Sequence, residues 1–127
     1  MDCLDSWAVL RWLEGVEPAT SRVEEALQHR PVMSWINLGE VFYIVTRAAG
    51  EPAAQEVVND LRTRLLLDEA TPRRTLEAAA LKAAHPMAYA DAFAVATARA
   101  HAATLLTGDP EILGGPPDWA VDDLRSR

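Results

Sequence analysis

The chain has little cysteine, little lysine and no long apolar run. Cys3 is the single cysteine among 127 residues, which excludes an intramolecular disulfide and fits a reducing, cytoplasmic environment. No apolar run approaches the length of a membrane span. The acids Asp2 and Asp5 interrupt the N-terminus, where a signal peptide would need an apolar core. We therefore expect a cytoplasmic protein without a membrane partner.

Two kinds of site are also missing from the sequence. The three histidines, His29, His85 and His101, are scattered and form no cluster with cysteine, so zinc ligation is not expected. No glycine-rich phosphate loop is present, because Gly114 and Gly115 lack the strand–loop–helix context of such a loop. The formal net charge of −7 argues against broad, nonspecific binding to nucleic acid.

The composition is that of an ordinary globular domain. Half of the residues are hydrophobic and 24% are charged, and the length suits one domain spanning residues 1–127. Apolar periodicity, capping residues and proline positions predict six helices and five short strands. The predicted helices span residues 7–13, 20–29, 35–49, 51–65, 72–84 and 89–102. Four predicted strands span residues 2–4, 31–33, 104–106 and 119–121. Residues 65–67 fit either a helix end or a strand, and we favour a strand that ends near Ala70.

The order of these elements predicts an α/β fold. Long helical crossovers between short strands indicate a mainly parallel central sheet flanked by helices. Ser6 and Ser34 are the predicted caps of the first and third helices, and Leu76, Ala80 and Ala83 the predicted buried side of the fifth helix.

Four acids stand where such a fold places ligand chemistry. Asp5 follows the first strand, and Asp109 follows the strand at residues 104–106, so both lie at the carboxyl edge of the predicted sheet. Asp91 interrupts an alanine-rich helix, where an unpaired carboxylate would be costly to bury. Glu40 lies beside the core stripe of the third helix, which can reach the same edge. Taken singly, each acid is also explained as a helix cap, a turn residue or a solvated side chain.

Taken together, the four acids predict a metal site. Several carboxylates cannot all stay ionised at close quarters without a cation. Oxygen ligands of this kind suit Mg²⁺ or Mn²⁺. We therefore expect Asp5, Glu40, Asp91 and Asp109 to surround one of these ions.

The chain resembles a PIN-domain ribonuclease, specifically a VapC-type toxin of a type II toxin–antitoxin system. The resemblance rests on Leu4-Asp5-Ser6, on Asn37-Leu38-Gly39-Glu40-Val41, on Tyr89-Ala90-Asp91-Ala92-Phe93-Ala94-Val95-Ala96, and on Leu105-Leu106-Thr107-Gly108-Asp109-Pro110. It covers essentially the whole chain, in the order of the family. It implies a PIN-like three-layer fold and a metal-dependent endoribonuclease that hydrolyses RNA phosphodiester bonds with an activated water.

The resemblance also implies roles for individual residues and partners. Asp5, Glu40, Asp91 and Asp109 would be the catalytic quartet, with Asp5 and Asp91 binding the metal directly and the other two directly or through water. Polar support for the quartet would come from Ser6, Asn37 and Thr107. The implied partners are an RNA substrate, a VapB-like antitoxin and a second copy of the chain. Trp7 departs from many relatives, and either packs as core or stacks on a base at the mouth of the site.

Three other kinds of protein are alternatives to a ribonuclease. A non-catalytic PIN-like module that binds RNA or protein would share the fold. A metal-dependent phosphatase of the haloacid-dehalogenase type would need a D-x-D motif, whereas Asp2 and Asp5 are spaced D-x-x-D, which turns them to opposite faces of a strand. A receiver domain would need a lysine late in the chain, but Lys82 precedes Asp91.

Overall fold

The computed structural model describes residues 1–115 and 119–126. Parts of the predicted loop at 114–117 and of the predicted tail at 125–127 lie outside these residues. The elements are β1 (Asp2–Leu4), α1 (Ser6–Glu14), α2 (Ala19–Leu27), β2 (Val32–Ser34), α3 (Trp35–Ala49), α4 (Glu51–Arg64), β3 (Leu66–Asp68), α5 (Pro72–Ala84), α6 (Tyr89–Ala100), β4 (Thr104–Thr107), α7 (Pro110–Leu113) and β5 (Val121–Asp123).

The five strands form one parallel sheet in the order β3-β2-β1-β4-β5. Successive side chains of a strand point to opposite faces, and each face carries its own core. Cys3 and Leu105 pack with α5, α6 and α7, whereas Leu4, Met33 and Leu106 pack with α1 to α4. The predicted α/β architecture is therefore confirmed, with a helical layer on each side of the sheet.

Helices α3, α5 and α6 agree best with the sequence. The bounds of α3 and α5 are those predicted, and Ser34 caps α3 by accepting a hydrogen bond from the Ile36 N–H at 3.1 Å. The predicted burial of α6 is also confirmed, because every residue from Asp91 to Ala98 is buried. An alanine-rich helix that is apolar on all sides lies close to the sheet, since its side chains are small.

The start of α1 and the start of α2 differ from the prediction. The cap of α1 is Asp5 rather than Ser6, which lies inside the helix. α2 begins at Ala19, directly after Pro18, and the Thr20 hydroxyl inside the helix donates to the Val16 carbonyl at 2.8 Å.

The buried face of α5 was predicted wrongly. Leu76 is 69% exposed, whereas Ala78 and Leu81 are buried. Arg74 explains the difference, because its guanidinium lies 2.8 Å from the carboxylate of Asp68 at the end of β3. This ion pair turns the stripe at positions 74, 78 and 81 inward and leaves Leu76 in solvent.

Two further differences lie near the C-terminus. The predicted turn after β4 opens a short helix, α7, with Asp109 as its cap and Pro110 in its first turn. The last strand is Val121–Asp123 rather than residues 119–121. The apolar Trp119 is buried but does not belong to the strand, since its indole packs near α7 and its Nε1 donates to the Ile112 carbonyl at 3.4 Å.

Among the residues that the structure describes, no helix is long and apolar enough to span a bilayer.

Candidate metal centre

Asp5 joins the ends of two neighbouring strands. It leaves β1 in an extended conformation and caps α1, with its Oδ1 accepting a hydrogen bond from the Ala8 N–H at 2.8 Å. Its Oδ2 accepts a hydrogen bond from the hydroxyl of Thr107, the last residue of β4. The side chain is 1% exposed. Asp5 is therefore fixed on both oxygens before any ligand binds.

Burial raises the pKa of Asp5 to about 7. The hydrogen bonds from Thr107 and Ala8 lower this pKa, and the negative charges of Asp109 and Glu40 raise it. These opposing effects show that Asp109 and Glu40 lie close enough to repel the ionised form of Asp5.

Asp91 lies in the first turn of α6 and is 8% exposed. Burial, followed by the charge of Asp109, raises the pKa of Asp91 to about 8; the charges of Asp5 and Glu111 act in the same direction. Asp91 is thus held among acids rather than beside a cation.

Three carboxylates come together at the start of α7. Oxygen atoms of Asp91, Asp109 and Glu111 all lie within 4.8 Å of one another, which is close enough to share one cation. Asp109 is held in place by two backbone contacts: its N–H donates to the Thr107 hydroxyl at 3.0 Å, and its Oδ1 accepts from the Glu111 N–H at 2.9 Å.

Glu111 is absent from the predicted site. It lies in the first turn of α7, a four-residue helix that was not predicted. Four residues carry too little periodicity to distinguish a helix from a turn, so no sequence signal marked Glu111 as part of the site.

Glu40 is contacted both from α1 and from its own helix. Its Oε1 accepts a hydrogen bond from the Ser6 hydroxyl, and its Oε2 lies 3.5 Å from the Tyr43 hydroxyl. Arg47, two turns further along α3, makes no ion pair with Glu40; its guanidinium lies over the Tyr43 ring instead.

The three predicted supporting residues occupy different parts of the centre. Thr107 bridges Asp5 and Asp109, and Ser6 contacts Glu40. Asn37 donates from Nδ2 to the Ala90 carbonyl at 3.0 Å, next to Asp91. Its Oδ1 is buried and has no hydrogen-bond partner among the described residues.

Trp7 packs over the turn that carries the acids. A Cβ atom at Gly108 would lie 2.3 Å from the Trp7 ring, so only glycine allows this contact. The indole also contacts the core on the α1–α4 face, and the Arg11 guanidinium lies 5.0 Å from its centroid. Trp7 therefore makes a packing contact, which is the first of the two roles predicted for it.

Asp2 takes no part in this centre. It lies at the opposite end of β1, where the Arg22 guanidinium contacts its carboxylate at 3.1 Å and that of Asp122 at 2.9 Å. The two acids of the D-x-x-D stretch are thus separated by the length of the strand.

The residues of the centre fit a hard divalent cation. The available ligands are carboxylate oxygens, which Mg²⁺ and Mn²⁺ prefer over softer sites. Burial and, to a smaller extent, the charges of neighbouring acids raise the pKa values of Asp5 and Asp91, and a bound cation would favour their ionised forms.

We predict that Thr107→Val destabilises the protein by about 1–3 kcal/mol at about pH 8, because it leaves an oxygen of ionised, buried Asp5 without its donor. The measurement is denaturant-induced unfolding. Thr97→Val is the matched control, since the Thr97 hydroxyl is also fully buried but has no hydrogen-bond partner. Equal destabilisation by both substitutions would contradict the prediction.

The metal-free protein should lose stability as the pH rises from about 5 to about 8. The pKa values of Asp5 and Asp91 are higher in the folded than in the unfolded state, so folding retains protons across this interval and the free energy of unfolding falls. Unfolding in EDTA at several pH values measures the slope. Asp91→Asn should make the slope shallower; an identical slope in the variant and the wild type argues against the assignment.

Comparison with known proteins gives a family and a fold. The family model of the PIN domain matches residues 3–113. No curated protein sequence matches the chain significantly.

Several solved structures are similar over nearly the whole chain. VapBC2 from Rickettsia felis, bound to a DNA fragment from its promoter, is 17% identical with a TM-score of 0.75, covering 97% of this chain and 98% of that one. VapC20 from Mycobacterium tuberculosis, described as a toxin that cleaves the sarcin-ricin loop, is 16% identical with a TM-score of 0.74, covering 90% and 94%. FitAcB from Neisseria gonorrhoeae is 21% identical with a TM-score of 0.66, covering 95% and 96%.

Proposed function

The chain belongs to the PIN-domain family, and from this premise we propose that it is a metal-dependent endoribonuclease, the toxin of a toxin–antitoxin pair. We further propose that residues 1–127 form one such domain. The observation that carries the proposal is the group of Asp91, Asp109 and Glu111 carboxylates, whose oxygens lie within 4.8 Å of one another, with Asp5 near enough for its charge to raise the pKa of Asp91. The similarity to structures of toxins, one of which is described as cleaving the sarcin-ricin loop, supports it.

We assign the catalytic role to Asp5, Glu40, Asp91 and Asp109, with Asp5 and Asp91 as direct ligands of Mg²⁺ or Mn²⁺. When bound, such an ion supplies an activated water and neutralises charge that develops on the phosphate and on the leaving oxygen. Ser6, Asn37 and Thr107 orient the acids.

The protein's own residues prepare the centre for this chemistry. Thr107 and the Ala8 N–H hold both oxygens of Asp5, so little reorientation is needed when a ligand arrives. Ser6 holds Glu40 in the same way. Burial, followed by the charge of Asp109, raises the pKa of Asp91 to about 8, so a cation bound at this carboxylate would compete with its proton.

The purified protein should cleave RNA with Mg²⁺ or Mn²⁺ and lose this activity in EDTA. Asp5→Asn and Asp91→Asn should each abolish cleavage and leave the circular dichroism spectrum unchanged, because they remove a metal ligand and keep the shape of the side chain. Cleavage of labelled RNA on a denaturing gel is the measurement.

Asp2→Asn is the matched control for these variants, since Asp2 lies at the far end of the same strand and contacts Arg22. It should retain cleavage. Full activity of Asp91→Asn in EDTA would refute the metal mechanism, and RNA binding without cleavage by the wild type would favour a non-catalytic binding module.

We also propose a VapB-like antitoxin and a homodimer as partners of the chain. The support is that similar structures include a toxin–antitoxin complex from Klebsiella pneumoniae and a DNA-bound VapBC from Salmonella typhimurium.

Expression of the chain alone should arrest growth, and co-expression of a small protein encoded directly upstream should restore it. Light scattering should give twice the mass of one chain. Growth arrest that the upstream protein does not relieve would count against the antitoxin, and a monomeric mass would count against the homodimer.

A further inference from the structure

An aromatic residue and a cation extend outward from the metal centre along α3. Tyr43 lies one turn beyond Glu40, and its hydroxyl is 3.5 Å from the Glu40 carboxylate. The Arg47 guanidinium lies 4.9 Å from the centroid of the Tyr43 ring, one further turn along the helix. The stretch from Glu40 to Arg47 spans about 10 Å of helix axis.

The fold makes little use of this pair. Tyr43 is 44% exposed, so a large part of this aromatic residue is open to solvent. Arg47 is exposed, and among residues 1–115 and 119–126 no carboxylate lies within 4.0 Å of its guanidinium. Five other arginines do pair with acids: Arg11, Arg22, Arg64, Arg74 and Arg125.

An unpaired cation beside an acidic centre has a chemical use. The chain carries a net charge of −7, so an RNA strand approaching the acids is repelled unless positive charge is available locally. Single-stranded nucleic acid is bound by aromatic rings that stack on bases and by cations that contact the backbone. The Tyr43–Arg47 pair supplies one group of each kind, continuous with the centre through Glu40.

We propose that Tyr43 and Arg47 bind the RNA strand as it leaves the metal centre, with the Tyr43 ring stacked on a nucleobase and the Arg47 guanidinium on a backbone phosphate. This inference rests on the proposed ribonuclease function and adds a binding surface to it. Stacking on a ring tolerates any base, so the pair contributes affinity and register rather than a particular cleavage sequence.

The test measures the binding of a labelled single-stranded RNA of about eight nucleotides by fluorescence anisotropy. The parent protein is the Asp91→Asn variant, which keeps the RNA intact. Tyr43→Ala should weaken binding by about tenfold, the effect of losing one base–aromatic stack, whereas Tyr43→Phe keeps the ring and the affinity. Arg47→Gln should weaken binding and reduce the slope of log K against log salt by about 0.7, as expected for one lost phosphate contact.

Arg64→Gln is the matched control. The Arg64 guanidinium also lies over an aromatic ring, 5.6 Å from the Trp12 centroid, but Glu24 and Asp60 already pair with it. The Arg64→Gln substitution removes the same charge as Arg47→Gln and should leave both the affinity for RNA and its salt slope unchanged.

The outcomes separate this inference from the function on which it rests. If the wild type cleaves RNA and the Tyr43→Ala and Arg47→Gln variants bind as tightly as their parent, the inference is overturned and the ribonuclease stands. If the parent does not bind RNA and the wild type does not cleave it, both are overturned. Equal weakening by Arg47→Gln and Arg64→Gln would attribute the effect to net charge and also overturn the inference.

Discussion

The hydrogen bond between the Thr107 hydroxyl and the Asp5 carboxylate is the interaction on which the centre depends. It links the carboxyl ends of β1 and β4, which are neighbours in the sheet, and it compensates for burying an acid that is 1% exposed. The same hydroxyl accepts from the Asp109 N–H and so sets the start of α7. One threonine therefore positions acids that are more than a hundred residues apart in the chain.

Repulsion between acids is the second constraint. Asp5 and Asp91 keep raised pKa values because burial and neighbouring carboxylates disfavour their ionised forms. The fold tolerates this cost at the one edge of the sheet where strand ends and helix starts meet. Two acids in the strands, Asp2 and Asp68, are neutralised by Arg22 and Arg74. Asp5 and Asp91 are the acids that are buried among the described residues, and the charges that act on them there are those of other acids.

Local sequence signals predicted most of the helices and the succession of strands along the chain. α3 has a serine cap, and α5 has a threonine cap followed by proline, so their bounds were predicted correctly. The rotation of α5 was not, because the ion pair of Arg74 with a residue of β3 outweighs the preference of a single leucine, Leu76, for burial. α7 was missed because its four residues carry too little periodicity to separate a helix from a turn.

The sequence alone determined the chemistry: which acids follow strands or interrupt apolar helices, and hence that a hard cation is the expected ligand. Only the tertiary structure decided which side chains contact those acids. In the folded chain Glu111 lies beside Asp91 and Asp109. The Ser6 hydroxyl donates to Glu40 instead of capping α1, and the Arg47 guanidinium lies over the Tyr43 ring. The physical reason is that capping and alternation act within a few residues, whereas contacts between helix starts depend on how the helices pack across the sheet.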